Sequence, residues 1–367
     1  MLLKLIITFS AAFAVCAACT YLVRSFALRR GIVDEPKLPR KRHGRPVALL
    51  GGVAIAAGIA MIALFLYATG WLPGEYIRTK YLIGIAIAVG ILALGGVLDD
   101  RYDLKPSRQI LFPIAAALAI IASGIGVTYI TNPFGGLFHL DEIRAIVLWW
   151  DGIPYRLTLF ADIFTMAWLL GMTYTTKFLD GLDGLVSGLV VIGGIVVAAV
   201  SLMQEVSQPD TALLALAVAG VFAGFLVFNV HPASIFLGEG GSTAAGFLLG
   251  TLAIISGGKI ATTLLILGLP IFDTAMVIIR RLARKRPATA GDRSHFHFLL
   301  VDSGFNERQV VAMFWFVSAL FGTSTLFLRG SAKVVAIGLI FSLLLVAMAG
   351  LSMKREKAER PGDEKGT

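Results

Sequence analysis

The sequence is poor in charged residues and in cysteine for its length. Of its 367 residues, 15% are charged and 57% are hydrophobic, and the mean hydropathy is +0.83. Soluble domains of this size are not that apolar, so the composition excludes them. The two cysteines, Cys16 and Cys19, have a C-x-x-C spacing inside the first apolar run. Neither a histidine nor a second cysteine pair accompanies them, and packing is therefore favoured over a zinc site.

Long apolar runs dominate the chain. Runs of about 20 residues match the thickness of the bilayer's hydrocarbon core. They predict an all-α polytopic membrane protein with about ten or eleven transmembrane helices, in one integral domain over residues 1–353. The charged tail, 354–367, is expected to be disordered. The predicted spans cover roughly 2–23, 47–69, 80–98, 108–130, 159–177, 184–203, 211–229, 242–257, 259–280, 309–328 and 332–353.

The first apolar run lacks a clear small-residue cleavage site after Cys19, so we interpret it as a retained span and not as a signal peptide. The chain also lacks the internal repeat that is typical of transporters. Spans eight and nine are separated only by Gly257 and Gly258, which makes that connection the weakest part of the assignment.

Basic residues are concentrated in alternate loops. The loops that follow spans one, three, five and nine, together with the tail, hold 24 of the 32 lysines and arginines. This bias places them in the cytoplasm, with the N-terminus outside and the C-terminus inside. It also explains the net charge of +9 without a nucleic-acid partner. The long outer segment, 131–157, contains Trp149 and Trp150 and is expected to form a hairpin on the membrane surface. An aromatic belt alone is the alternative.

The most informative stretch is T-T-K-F-L-D-G-L-D-G, residues 175–184, between two apolar runs. Its spacing predicts that Asp180 and Asp183 share nearly one face of a helical turn. Acidic groups at the mouth of a membrane bundle are costly and usually functional. The alternative interpretation is a tight turn whose aspartates cap the next helix.

Further polar clusters fall on the same, cytoplasmic side. Paired carboxylates such as Asp99 and Asp100 can hold a divalent cation or act as a base. The G-E-G-G-S stretch, 238–242, begins a helix and offers free backbone N–H groups to a phosphate. Arginines and histidines supply cationic partners for a diphosphate. The combination predicts phosphoryl chemistry on a polyanionic substrate at a cytoplasmic cleft, and a lipid could arrive laterally as the other partner.

Each cluster has an alternative interpretation. The aspartate pair at 99–100 could simply solvate a helix end, and the basic loop 280–293 could serve topology and anionic-lipid binding alone. His295 and His297 could be surface residues, and Asp273 could cap a kink beside Pro270. The convergence of the clusters on one side of the membrane favours the functional interpretation.

Taken in order, these motifs resemble the polyprenyl-phosphate N-acetylhexosamine-1-phosphate transferases. The family includes phospho-MurNAc-pentapeptide translocase and the UDP-GlcNAc:undecaprenyl-phosphate GlcNAc-1-phosphate transferases, and the chain looks closer to the second branch. The matching motifs are D-E-P-K-L-P-R-K-R-H-G-R-P, L-D-D-R-Y-D-L-K-P, F-L-D-G-L-D-G-L, F-N-V-H-P-A-S-I-F-L-G-E-G-G-S, P-I-F-D-T and D-R-S-H-F-H.

The resemblance implies transfer of a sugar 1-phosphate, most simply GlcNAc-1-phosphate, from a UDP-sugar to undecaprenyl phosphate, with release of UMP. The product would enter cell-envelope glycan synthesis. It further implies a Mg²⁺ cofactor, a bacterial cytoplasmic membrane location, and a homodimer, which is common among the proteins that it resembles. A catalytically impaired relative that binds nucleotide sugar or lipid phosphate is the alternative, and a transporter is a third, less favoured one.

The resemblance also implies residue roles. Asp99 and Asp100 match the paired aspartates assigned to lipid-phosphate activation and the metal site, and Asp180 and Asp183 match the acidic motif near the nucleotide. These four are the predicted catalytic residues. The predicted metal ligands are Glu239, Asp100 and Asp183. The predicted substrate-binding residues are His43, Lys177, Asn229, Asp273, Arg293, His295 and His297.

Three positions depart from the family pattern. Lys177 stands where an asparagine metal ligand is usual, Glu239 replaces a ligating aspartate, and Phe298 replaces a histidine. Because a protonated lysine cannot ligate Mg²⁺, the first two departures predict an ion pair across the metal position, with weakened or relocated Mg²⁺ binding. The alternative is that Lys177 points to the donor phosphates while Glu239 still holds Mg²⁺ with Asp100 or Asp183.

Overall fold

The computed structural model describes residues 1–35, 45–72, 76–131, 136–150, 153–257, 260–283 and 295–328, and short stretches between 332 and 350. The predictions for His43, for Arg293 and for the charged tail lie outside the described residues, as do parts of the last predicted span.

Helices make up most of the described chain. They are α1 (Leu2–Arg30), α2 (Gly51–Ala68), α3 (Thr79–Tyr102), α4 (Pro106–Gln109), α5 (Leu111–Ser123), α6 (Leu159–Leu179), α7 (Leu185–Ser201), α8 (Pro209–Asn229), α9 (Gly238–Ile255), α10 (Ile260–Ile266), α11 (Gly268–Ala283), α12 (Phe296–Asp302) and α13 (Glu307–Ser324).

The predicted all-α polytopic membrane architecture is confirmed. Five helices are long and apolar enough to cross a membrane, namely α1, α2, α3, the α4–α5 unit and α8. The bent pair α10–α11 counts as a sixth if it forms one span. Each of the first ten predicted spans coincides with a helix or helix pair, so the larger number of crossings stays a prediction. The ends differ most at α1, which continues to Arg30 and stops at Gly31 in the left-handed conformation (φ 67°).

The connection between predicted spans eight and nine is a real break. Helix α9 ends at Ile255 and α10 begins at Ile260. The ninth predicted span is itself broken, because α10 and α11 meet at an angle of 79°. The bend falls two residues before Pro270, whose ring and missing N–H are incompatible with an uninterrupted helix at this point.

Helix α9 is the centre of the bundle. Every residue from Gly240 to Ile254 is buried, and the helix packs against α2, α3, α6, α7, α8 and α10. Its first turn is crossed closely by two neighbours. A Cβ on Gly52 of α2 or on Gly96 of α3 would lie within 2.6 Å of the backbone of Gly240. Glycine at these positions therefore allows three helices to meet beside the G-E-G-G-S stretch.

Short strands complete the fold. Strands β1 (Val33–Asp34) and β2 (Val47–Ala48) are antiparallel, and Ala48 also bridges Ile235 in parallel, which ties the start of α2 to the residues before α9. Strands β3 (Tyr129–Thr131) and β4 (Leu137–His139) pair, as do β5 (Arg144–Trp150) and β6 (Ile153–Thr158). The hairpin expected in 131–157 is thus confirmed, while its place on the membrane surface stays a prediction.

Candidate active site

The two aspartates of the central motif lie in a loop. Helix α6 ends at Leu179, and α7 begins at Leu185 after Gly184, which is in the left-handed conformation (φ 78°). The prediction that Asp180 and Asp183 share a helical face is wrong, since the helix stops before Gly181. No side chain caps α7, so the alternative of a capping aspartate is not seen either. The loop instead turns both carboxylates toward the cleft between α6, α8 and α9.

Asp183 is held by the loop that follows α8. Its Oδ2 accepts a hydrogen bond from the backbone N–H of Ala233 at 3.0 Å and lies 3.0 Å from Nδ1 of His231. The same ring nitrogen lies 3.3 Å from a carboxylate oxygen of Glu307. The sequence analysis missed His231 and Glu307. The V-H-P stretch directly after Asn229 was a signal for the first, whereas Glu307 lies in no recognisable motif.

Asp180 is exposed in the loop between α6 and α7, and its carboxyl interacts electrostatically with Asp183 and Glu239. Loss of hydration and, to a smaller extent, the negative charges of Asp183 and Glu239 together raise the pKa of its carboxyl to about 8. A carboxyl group with such a pKa can bind or release a proton near neutral pH.

Asn229 is buried and fully engaged by the protein. Its Oδ1 accepts hydrogen bonds from the Ser187 hydroxyl at 2.7 Å and from Gly184 N–H at 3.2 Å. Its Nδ2 donates to the carbonyl of Ile235 at 3.0 Å. The side chain therefore fastens the aspartate loop to the segment that leads into α9. Its predicted contact with the donor stays a prediction.

The predicted ion pair between Lys177 and Glu239 is present. Nζ of Lys177, near the end of α6, lies 2.5 Å from Oε1 of Glu239 in the first turn of α9. Nζ also donates to Oε1 of Gln109 at 2.9 Å, and Gln109 Nε2 donates to Oδ1 of Asp99 at 2.7 Å. Gln109, which the sequence analysis missed, thus connects the lysine to the first aspartate pair.

Asp99 and Asp100 face different neighbours. Oδ1 of Asp99 also accepts from the backbone N–H of Leu104 at 3.0 Å. The carboxylate of Asp100 faces the N-terminus of α9, where a Cβ on Gly238 would lie 3.1 Å from Oδ2. Gly238 has a positive φ of 66°, so it both permits the turn into α9 and leaves room for this carboxylate. Asp100 therefore lies at the positive end of the α9 dipole.

A second polar cluster is fully buried behind the aspartate loop. Oδ2 of Asp273 in α11 lies 3.3 Å from Nδ1 of His295 and 3.4 Å from Nδ1 of His297. Asp273 Oδ1 accepts from the backbone N–H of Phe296 at 2.7 Å. Burial lowers the pKa of His297 and keeps its ring neutral at pH 7. A Cβ on Gly181 would lie 2.7 Å from His297 Nε2, so this ring rests directly against the aspartate loop.

The predicted metal ligands do not form a preformed cation site. Within the described residues, the one group of three potential ligands with all ligand atoms inside 4.8 Å is Asp273, His295 and His297. Glu239, Asp100 and Asp183 do not meet this criterion. Glu239 contacts an ammonium, and Asp183 is occupied by two donors.

The arrangement suits chemistry on phosphates. Charge interactions link Glu239 to Asp99, Asp100 and Asp180, and Asp180 to Asp183, which places all five carboxylates in one cleft at one end of the bundle. The N-terminus of α9 and the Lys177 ammonium bring positive charge to the same cleft. Such a site can orient a phosphate ester while its carboxylates handle protons or charge.

Comparisons with known proteins agree with this geometry. Residues 82–257, which include Asp99, Lys177 and Glu239, match the model of glycosyl transferase family 4. The chain is 30% identical to the probable undecaprenyl-phosphate N-acetylglucosaminyl 1-phosphate transferase of Bacillus subtilis (strain 168), over 94% of this chain and 90% of the relative.

Two further relatives are similar over most of their length. The decaprenyl-phosphate N-acetylglucosaminephosphotransferase of Mycolicibacterium smegmatis is 26% identical over 92% of this chain and 87% of its own. The phospho-N-acetylmuramoyl-pentapeptide-transferase of Listeria monocytogenes is 32% identical over 86% of this chain and 94% of its own. Since these similarities span nearly whole proteins and include the cleft, the chain belongs to glycosyl transferase family 4.

Proposed function

We propose that this protein transfers N-acetylglucosamine 1-phosphate from UDP-N-acetylglucosamine to undecaprenyl phosphate. In this reaction an oxygen of the lipid phosphate attacks the sugar-linked phosphorus of the donor. A new diphosphate bond forms, the bond to UMP breaks, and UMP leaves. The observation that carries the proposal is the cleft in which five carboxylates and Lys177 meet at the N-terminus of α9. The names of two of the relatives, both N-acetylglucosamine phosphotransferases, support the choice of sugar.

The contacts of each cleft residue support a different role in this reaction. Asp180 makes no hydrogen bond within the described residues and has a pKa raised to about 8, so it is free to exchange a proton with substrate. Asp99 and Asp183 are held by fixed donors, which keeps their charges in place. Asp100 lies where the backbone N–H groups of α9 would meet a phosphate. Asn229, Asp273, His295 and His297 support the aspartate loop from behind.

The resemblance implies Mg²⁺, which would supply Lewis-acid stabilisation of the transferred phosphoryl group when bound. The donor set fits it poorly, because Glu239 already contacts an ammonium and the predicted ligands do not converge.

The proposal includes the setting of the reaction. A single transferase domain over residues 1–353 lies in the bacterial cytoplasmic membrane as a multi-pass protein, with the N-terminus outside and the C-terminus inside. The cleft faces the cytoplasm, where UDP-sugars are made, and the lipid enters from the bilayer. A homodimer is the proposed assembly. The relatives are named as transferases, and nothing in them favours a non-catalytic binder or a transporter.

The test is UMP release by purified protein with undecaprenyl phosphate and UDP-N-acetylglucosamine. We expect release only when both are present. UDP-MurNAc-pentapeptide serves as the control donor and is expected to give little UMP. UMP release with UDP-MurNAc-pentapeptide but not with UDP-N-acetylglucosamine would contradict the choice of sugar. No UMP release with any UDP-sugar would contradict the proposed function.

A further inference from the structure

The Lys177 ammonium is fixed in place by two tertiary contacts. Glu239 Oε1 lies at 2.5 Å and Gln109 Oε1 at 2.9 Å, on residues 62 and 68 positions away in sequence. The side chains of Lys177 and Glu239 are each only 17% exposed. Nζ also lies 5.4 Å from the ring centre of Tyr174, a distance at which the aromatic face attracts a cation. A lysine held from three directions acts as a fixed charge in the cleft.

Gln109 extends this charge to the first aspartate pair. Its amide oxygen accepts from Lys177 and its amide nitrogen donates to Asp99 Oδ1 at 2.7 Å. The amide can satisfy both neighbours only in this orientation, because an ammonium only donates and a carboxylate only accepts. Asp99, Gln109, Lys177 and Glu239 therefore form one continuous polar chain across the cleft, with the ammonium inside it.

A divalent cation would have to displace this ammonium to reach Glu239. Mg²⁺ requires oxygen ligands at about 2.0–2.1 Å in octahedral geometry, and an ammonium 2.5 Å from the same carboxylate oxygen both occupies the space and repels the ion. The neighbouring carboxylates of Asp99 and Asp183 already accept two donors each. Within the described residues, the remaining carboxylate oxygens of the cleft do not form a group of three potential ligands inside 4.8 Å of one another, so no alternative cation position is preformed beside Glu239.

We propose that Lys177 is a built-in cation of this cleft, held by Glu239 and Gln109, and that it replaces a divalent metal at Glu239 in neutralising a diphosphate substrate. Two of the three ammonium donors are used by Glu239 and Gln109, and the third can bind a phosphate oxygen of a nucleoside diphosphate sugar. This inference rests on the proposed function for its substrate. Its claim about the metal stands on the contacts of Lys177 alone.

The first arm of the test measures metal binding without any substrate. Mn²⁺ is titrated into the purified wild-type chain, Lys177→Asn, Lys177→Arg and the double variant Lys177→Asn with Glu239→Asp, and free Mn²⁺ is followed by electron paramagnetic resonance. We expect the double variant to bind Mn²⁺ at least about tenfold more tightly than the wild type, and Lys177→Arg to bind as weakly as the wild type. Lys4→Asn, which removes a lysine at the opposite end of the bundle, is the matched control and should not differ from the wild type.

The second arm measures UMP release with and without excess chelator. The wild type and Lys177→Arg should keep activity within about twofold in chelator, whereas the double variant should become dependent on added metal. Equal Mn²⁺ affinity in the wild type and the double variant, or wild-type release that requires metal, would overturn the inference.

The two arms separate the inference from the proposed function. Absence of UMP release from every protein would refute the proposed function, while the Mn²⁺ titration would still report on Lys177. If the double variant elutes as aggregate, Lys177→Asn alone carries the comparison: it lacks the ammonium and should bind Mn²⁺ more tightly than both the wild type and Lys177→Arg, and equal affinity would overturn the inference.

Discussion

The cleft around Lys177 and Glu239 and the buried cluster around Asp273 contain the same kinds of groups but differ in their exposure to solvent. Each places a carboxylate beside nitrogen-bearing side chains, Glu239 beside Lys177 and Asp273 beside two histidines. The first pair is 17% exposed, whereas the side chains of Asp273 and His297 are fully buried. Charge that a substrate can reach can act on that substrate. Charge that is sealed from solvent can only hold the structure together.

The two regions touch at one residue, Gly181. Its position directly after Asp180 and directly against His297 makes it the link between the reacting group and its support. The comparison therefore predicts loss of stability from changes in the buried cluster, loss of activity from changes in the cleft, and both from a change at the link.

The largest effect is expected for Asp273→Ala. The change leaves His295 and His297 buried without their shared carboxylate and removes the acceptor of the Phe296 N–H. A buried polar group left without its partner costs about 1–3 kcal/mol, and this change affects three such groups. Denaturant unfolding in detergent should show this loss, and Glu142→Ala, at an exposed acidic residue, should show none. An unchanged midpoint with lost UMP release would mean that Asp273 contacts substrate, as the resemblance implied.

Asp180→Asn should reduce activity and leave stability nearly unchanged, the opposite of Asp273→Ala. Asp180 makes no hydrogen bond within the described residues, so the fold loses little when its carboxyl is replaced by an amide. UMP release should fall about 100-fold or more, the usual contribution of a proton-transferring group. The measurement is kcat/KM together with the unfolding midpoint. A large fall in the midpoint would show that Asp180 is part of the support and would erase the distinction between the two regions.

The broad outline of both regions follows from the sequence. The lengths of the apolar runs predicted eleven spans because the bilayer sets the length of a span, and the first ten coincide with helices or helix pairs. The pairing of Lys177 with Glu239 was predictable because two departures from one family pattern had opposite charges. The first inference needed no three-dimensional information, whereas the second used the arrangement that the resemblance implies, in which the two ligand positions face each other.

The remaining features depend on tertiary contacts. Gln109 lies in the four-residue helix α4 and becomes part of the site only because α3 turns back there. His231 acts through Asp183, which is 48 positions away in sequence. The helical face predicted for Asp180 and Asp183 was wrong because spacing alone does not show where a helix ends. Burial of His295 and His297 could not be seen, because histidines of the same spacing are equally compatible with a surface loop.

Gly181→Ala tests the link between the two regions. A Cβ there would lie 2.7 Å from both His297 Nε2 and Phe298 Cζ, closer than packed atoms allow. We expect a loss of about 1–3 kcal/mol in stability and a fall of about tenfold in UMP release as Asp180 shifts. Gly171→Ala, inside helix α6 with open space around its Cβ position, is the control; it should leave UMP release unchanged and raise stability by about 0.5–1 kcal/mol, as alanine does in a helix. Equal behaviour of the two variants would show that the regions are independent.

The smallest effect is the pH dependence of the wild type. With its pKa raised to about 8, Asp180 is largely protonated at pH 7 and ionised at pH 9. If the ionised carboxylate is the active form, kcat/KM should rise over this range and level off above about pH 9, and Asp180→Asn should lack the rise. Stability should move the other way, because the folded state holds a proton that the unfolded state has released above its ordinary pKa of about 4. The contribution of Asp180 should therefore reduce stability as pH rises from about 4 to 8. If kcat/KM of the wild type did not change with pH over this range, another group of the cleft would transfer the proton. Asp180 would then act only through its charge.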